Sequence, residues 1–215
     1  MKIISFATGK GGAGKSTSCL VTAQVLAHQK KKVCVLDADP NAQIVSWQED
    51  NDTNISVVGD INERTIIKTI SEQKEFDYVL IDLEGKASLL TSRAILKSDF
   101  VVVPMQASLP DAVQADRIIN LIKDDEQILE KEIKHAVLFN RTSPLIKTKI
   151  EKQIFNDIKE ADYPLFDSQL NERIAYKNIF FDKSDLYNLS GKNVSGLDKA
   201  ISNAEQFVEE LERKI

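Results

Sequence analysis

The stretch Gly9-Lys10-Gly11-Gly12-Ala13-Gly14-Lys15-Ser16-Thr17 decides how this chain is read. It fits G-x-x-x-x-G-K-[ST], with the apolar run Ile3–Ala7 before it and a helical pattern after it. That motif needs a strand–loop–helix setting, and the flanks supply one. The glycines let backbone N–H groups turn inward and approach phosphate closely. A following helix adds the positive end of its dipole. Lys15 is expected to reach the β- and γ-phosphates, and Ser16 to bind Mg²⁺ through its hydroxyl. Thr17 is expected to donate to a more internal phosphate. Gly11, Gly12, Ala13 and Gly14 line the rest of the cradle. The alternative is a glycine-rich turn with no ligand.

Five short apolar runs punctuate the chain: Ile3–Ala7, Val33–Leu36, Tyr78–Leu83, Phe100–Val103 and Ala136–Phe139. They are rich in Val, Ile and Phe and do not alternate with polar residues. Strands buried on both faces of a parallel sheet have that pattern. Between them lie helical stripes. Cys19, Leu20, Ala23, Leu26 and Ala27 form one, and Ala115, Ile118, Ile119 and Ile122 form another that starts near Pro110. Alternating strands and helices predict an α/β fold: a doubly wound, mostly parallel sheet with helices on both faces. Such sheets bind ligands at the carboxyl ends of their strands.

Carboxylates stand there. Val33–Leu36 runs into Asp37-Ala38-Asp39-Pro40-Asn41, and the third run ends in Ile81-Asp82-Leu83, followed by Glu84-Gly85. Alternation along an extended segment points Asp37 and Asp39 the same way. An apolar run ending in Asp is the Walker B arrangement, whose carboxylate holds Mg²⁺, often through water. Acidic groups beside a triphosphate imply the metal. For Asp39, the alternative is an Asx-turn or the cap of a helix over Asn41–Gln48.

Lys10 is not required by the loop motif. With it, Lys10–Thr17 resembles the deviant Walker A box of the ParA/MinD family of P-loop ATPases. The resemblance implies a homodimer formed on ATP binding, in which Lys10 reaches the nucleotide of the other subunit. A solvated lysine on the loop rim is the alternative. Asp37-Ala38-Asp39-Pro40 resembles the family's switch I. By that resemblance Asp39 positions or activates the attacking water and Asp37 helps organise the metal. Lys10, Lys15 and Asp39 are thus the implied catalytic residues, and Ser16, Asp37 and Asp82 the implied metal residues. Asp82-Leu83-Glu84-Gly85 resembles switch II, usually Asp-x-Pro-Gly. Glu84 replaces that proline, and its charge would slow hydrolysis. The segment from Pro104 to Pro110 is similar to the family's interface and signalling loop.

The fifth run is followed by Asn140-Arg141-Thr142-Ser143, which lacks the lysine and Asp of the guanine-reading Asn-Lys-x-Asp. ATP is therefore expected over GTP. By resemblance Asn140 contacts adenine, and a plain turn residue is the alternative. The compact length and Trp47 are similar to the short ParA subgroup, which includes ParF-like and VirC-type ATPases. Trp47 is equally readable as a packed aromatic. The resemblance implies a partition ATPase that binds non-specific DNA and is stimulated by a ParB-like adaptor. Candidate DNA-facing residues are Arg141, Lys147, Lys149, Arg173 and Lys177, with solvated surface charge as the alternative. A MinD-like membrane cycle needs a basic amphipathic C-terminal helix. The stripe Ile201, Ala204, Phe207, Val208, Leu211 and Ile215 exists, but it is backed by Glu205, Glu209, Glu210 and Glu212. Anionic lipid repels such a face, so core packing and no membrane partner are expected.

Composition sets the limits. The chain has 215 residues, 42% of them hydrophobic and 28% charged, a size and balance that suit a single domain over 1–215. A net charge of −5 gives no general support for nucleic-acid binding. Cys19 and Cys34 form no Cys-x-x-Cys and no ligand spacing with His28 or His135. That pattern fits a reducing cytoplasm and argues against a disulfide framework, a structural zinc or an Fe–S relative. The first apolar run is too short for a signal peptide, and no stretch reaches the roughly 18 apolar residues of a spanning helix.

Overall fold

A computed structural model of the chain describes residues 1–49, 53–143, 148–192 and 194–215. Its strands are β1 (Lys2–Phe6), β2 (Val33–Ala38), β3 (Ile55–Val58), β4 (Tyr78–Leu83), β5 (Phe100–Met105), β6 (His135–Thr142) and β7 (Leu170–Asn171). Among the described residues they form one seven-stranded sheet in the order β3-β2-β4-β1-β5-β6-β7, with every pairing parallel.

Both faces of this sheet are covered, as the unalternating apolar runs require. Val33 and Val35 of β2 join the core on one face, and Cys34, Leu36 and Ala38 join the core on the other. The first face carries α1 (Lys15–His28), α2 (Gln43–Gln48), α7 (Ile174–Phe181), a 3₁₀ turn (Leu186–Lys192) and α8 (Leu197–Lys214). The second carries α3 (Ile66–Ser71), α4 (Leu89–Ile95), α5 (Leu109–Leu129) and α6 (Lys149–Glu160). The α1 stripe is buried except for the partly buried Ala27, and every residue from Ser18 to Leu26 is buried, as expected of a helix wedged between a sheet and other helices. α5 starts where Ser108 accepts a hydrogen bond from the Asp111 amide, with Pro110 in its first turn.

The expected doubly wound fold is present, with differences at its margins. β3 and β7 have no counterpart among the five apolar runs. β3 is a four-residue edge strand that is only partly buried, and β7 has two residues paired to β6 across a register shift. β6 extends through Asn140 to Thr142, so Asn140 lies inside a strand and not in a following turn. In α8, Ala204, Phe207, Val208 and Leu211 pack into the core, and no described helix is long and apolar enough to cross a membrane. Glu210, expected on the exposed side of that helix, is buried. Its carboxylate accepts the Asp167 and Ser168 amides, each at 2.8 Å. The turn at 167–168 supplied no sequence signal for this contact.

Register positions the site. Phe6 pairs with Asp82, and Asp82 pairs with Asp37, so three neighbouring strands end level with one another. The loop after β1 and the carboxylates of β2 and β4 therefore share one sheet edge.

Trp47, the chain's single tryptophan, is 1% exposed, and its Nε1 donates to the Ser184 carbonyl at 3.1 Å. It is a packed aromatic that ties α2 to the segment after α7. Trp47→Ala should cost about 3–5 kcal/mol of unfolding free energy. Urea titration followed by circular dichroism checks this, and a loss below about 1 kcal/mol would contradict the packing.

Candidate functional site

Gly12 and Gly14 take φ of +89° and +91°, in the left-handed region that side chains avoid. Gly14 is the N-cap residue immediately before α1. A Cβ there would meet Asn140 Nδ2 at 2.7 Å. Asn140 is buried, and its Nδ2 lies 3.0 Å from the Ala13 carbonyl and 2.8 Å from Ser18 Oγ. The loop is held from other sides too. Gln106 Nε2 donates to the Gly12 carbonyl at 2.9 Å, and Thr8 Oγ1 donates to the Lys10 carbonyl at 2.7 Å. Gly85 lies against the rim, where a Cβ would come within 2.6 Å of the Gly11 nitrogen. Only glycine fits at position 85 without displacing the loop.

Lys15 opens α1 and points at the strand ends. Its Nζ is 3.0 Å from Asp39 Oδ2 and 3.0 Å from Asp82 Oδ1, with the side chain 6% exposed. Burial lowers its pKa, but the Asp82 and Asp39 carboxylates outweigh burial and raise it above the usual lysine value. Asp82 is fully buried and Oδ2 has no hydrogen-bond partner. Burial pushes its pKa up to about 6, against the pull of the Lys15 charge and a hydrogen bond from Ser16. Asp39 is raised by burial, but the Asn41 amide and Lys15 outweigh that and hold it below the usual value.

Asp37 is engaged differently. Its Oδ2 accepts the Ile44 and Val45 amides at 2.9 and 3.0 Å, and Oδ1 accepts the Asp39 amide at 3.3 Å. It therefore caps the first turn of α2, and burial raises its pKa despite those amides. Asp39 forms the Asx-turn with Asn41, its Oδ1 accepting that amide at 2.9 Å. Of the two roles open to Asp39, the helix cap thus falls to Asp37. α2 begins at Gln43, two residues later than expected.

These residues suit a phosphate with a hard cation. Among the described residues, no group of three or more His, Cys, Asp and Glu is arranged to hold a metal by itself. Mg²⁺ at phosphate sites takes few protein ligands and draws the rest from phosphate and water. Ser16 and Asp82 offer hard oxygens of that kind, and the unpartnered Asp82 Oδ2 is an acceptor such an ion would satisfy.

Gly14, Thr17 and Asn140 line a small cavity with Arg141, Arg173, Tyr176 and Lys177. Three of the basic residues expected on a DNA face therefore surround the loop's own cavity. Lys149 is exposed at the start of α6, and Lys147 lies outside the described residues. Glu84, in the position of the usual switch proline, pairs with Lys86 at 2.9 Å. Lys10 pairs with Asp111 of its own chain at 3.0 Å. Asp111 escaped the reading of the sequence, and Gln106 was read only as part of the Pro104–Pro110 loop, with no contact to the glycine loop expected of it. The Ser108-x-x-Asp111 spacing is a helix-start signature that could have found the first.

The family model "VirC1 protein" matches residues 1–201. "Protein ParA" of Rhizobium radiobacter is 35% identical, covering 100% of this chain and 98% of that protein. "Protein virC1" of Rhizobium rhizogenes is 27% identical, covering 82% of this chain and 79% of that protein. The fold is similar to the crystal structure of a putative plasmid partition protein of Borrelia burgdorferi bound to AMPPNP. Its TM-score is 0.75 at 21% identity, over 100% of this chain and 99% of that one.

Asp82 generates a prediction about pH. Its folded pKa is raised to about 6, whereas an unfolded Asp titrates near roughly 4. Between those values the folded state holds a proton that the unfolded chain releases. Its contribution to stability is therefore complete below about pH 4 and is lost as pH rises through about 6. Without nucleotide or Mg²⁺, Asp82→Asn should gain stability relative to the parent chain between pH 4.5 and 7, by up to about 3 kcal/mol. Parallel urea-unfolding curves for the two proteins would contradict this.

Proposed function

The chain belongs to the VirC1 protein family, and on that premise we propose that it is a ParA-type partition ATPase. It binds ATP with Mg²⁺, pairs with a second copy in that state, and hydrolyses the nucleotide slowly. The observation that carries this reading is the Lys15 ammonium, poised between Asp39 and Asp82 at the mouth of a glycine loop. Its two partners stand on different strand ends, so a triphosphate entering the loop competes directly for the one amine.

The chemistry asked of the residues is positioning and charge neutralisation. Lys15 leaves the carboxylates and takes up phosphate charge. The loop amides between Gly11 and Thr17 donate to phosphate oxygens. Ser16 and Asp82 would hold Mg²⁺, which when bound would neutralise phosphate charge. Asp39, freed from Lys15, orients the attacking water, and Asp37 keeps Asp39 in place through its amide. Asn140 supports the loop from β6, and its buried, unpartnered Oδ1 is an acceptor available to the base in the adjoining cavity. Lys10 reaches the nucleotide of the second copy. Glu84 adds negative charge beside the switch and keeps turnover slow until a ParB-like adaptor acts.

The cellular role we propose is moving a plasmid or another cargo on non-specific DNA in the cytoplasm, as the resemblance to ParA-type ATPases implies. The membrane-cycling alternative is less well supported, because the apolar side of α8 is core and is not presented to lipid.

Lys15→Ala should weaken ATP binding by at least about a hundredfold, as expected of a charged group removed from a phosphate site. Asp39→Ala should keep ATP affinity and lose turnover by about the same factor. Titration calorimetry and phosphate release separate the two effects. Unchanged affinity in the first variant, or normal turnover in the second, would remove that residue from its role. DNA binding should require ATP and weaken steeply with salt; equal binding without nucleotide would contradict the partition reading.

A further inference from the structure

Within a single subunit, Lys10 already has a strong partner. Its Nζ lies 3.0 Å from Asp111 Oδ2, and the lysine side chain is 38% exposed whereas that of Asp111 is 5% exposed. The same carboxylate oxygen accepts the Ser108 hydroxyl, while Ser108 Oγ accepts the Asp111 amide at 3.3 Å. Asp111 is therefore fixed by the start of α5, and the flexible amine comes to it. The beginning of α5 touches the loop again at Gly9, where a Cβ would meet Gln114 Oε1 at 2.6 Å. Nothing in this arrangement draws Lys10 into its own phosphate cradle, where Lys15 holds the carboxylates.

One Lys10 amine cannot pair with Asp111 of its own subunit and reach a nucleotide in a second subunit at the same time. For Lys10 to engage a second subunit, it must leave a carboxylate that is almost wholly shielded from water. The carboxylate is then left without its cation, which is the costly half of breaking such a pair. In a two-fold symmetric dimer the same cost arises twice.

We propose that Asp111 is the positioning residue for Lys10: it holds the amine against its own subunit and so sets the threshold for nucleotide-dependent self-association. This rests on the reading of the chain as an ATPase that pairs around ATP through Lys10. A nearly isosteric Asp111→Asn keeps the helix start and removes the charge that retains Lys10.

The test has two arms. In the first, sedimentation with Mg-ATP should show Asp111→Asn pairing with a dissociation constant about tenfold lower than the parent chain. That is about threefold for each partly exposed ion pair, taken twice. Asp111→Glu should return the value toward the parent. With Lys10→Ala, pairing should be lost whether or not Asp111 is also changed. An unchanged or weaker dimer in Asp111→Asn would overturn the proposal. So would recovery of pairing in the double variant, because Asp111 would then act on something other than Lys10. The second arm needs no nucleotide. A brief acetic anhydride pulse read by mass spectrometry should modify Lys10 severalfold faster in Asp111→Asn, and an unchanged rate would overturn the hold itself. Faster labelling, with a parent chain that stays monomeric in Mg-ATP, would instead remove the dimer reading and with it the threshold.

Discussion

Two carboxylates and one ammonium, crowded at the carboxyl edge of a parallel sheet, constrain everything around them. Asp82 is fully buried, Asp39 is partly so, and Lys15 sits 3.0 Å from each. Asp37 is level with Asp82 on the adjacent strand, so a third acid is close by. The single amine compensates the pair, and backbone amides compensate Asp37. Such a group is poised to exchange partners. On the proposed reading, an incoming phosphate would compete for the amine, and the carboxylates it leaves would be free to help hold a hard cation.

The glycine loop can present Lys15 this way because the rest of the sheet edge grips it. Asn140 reaches it from β6, Gln106 from the end of β5, Gly85 from the end of β4, and Asp111 from the start of α5. The grips come from β6 and from the segments that follow β4 and β5, the last supplying both Gln106 and Asp111. The two lysines of the loop thus divide the work in the single subunit: Lys15 faces inward to the strand carboxylates, and Lys10 faces outward to α5.

Local sequence carried the parts of this picture that depend on local pattern. The central strands lie where the apolar runs do, and the loop stands between β1 and α1, because period and glycine spacing are properties of neighbouring residues. The edge strands were invisible for the same reason: β3 is short and half-exposed, and the two residues of β7 carry no pattern of their own. The turn reading offered as the alternative for Asn140 arises because polar side chains usually end a strand. Here β6 continues because the loop backbone satisfies the buried amide. Glu210 and Asp111 are acids with partners 43 and 101 positions away, at Asp167 and Lys10 respectively. The cap of α2 was considered only for Asp39, whereas the strand end fixes Asp37 under the helix.

The phosphate-loop assignment is tested most directly by amide hydrogen exchange, with Mg²⁺ alone and with Mg-ATP. Exchange should slow most at the amides from Gly11 to Thr17 when ATP is added, with a smaller effect at Asp39 and Asp82. Protection confined to other parts of the chain, with the loop amides exchanging as fast as before, would contradict it.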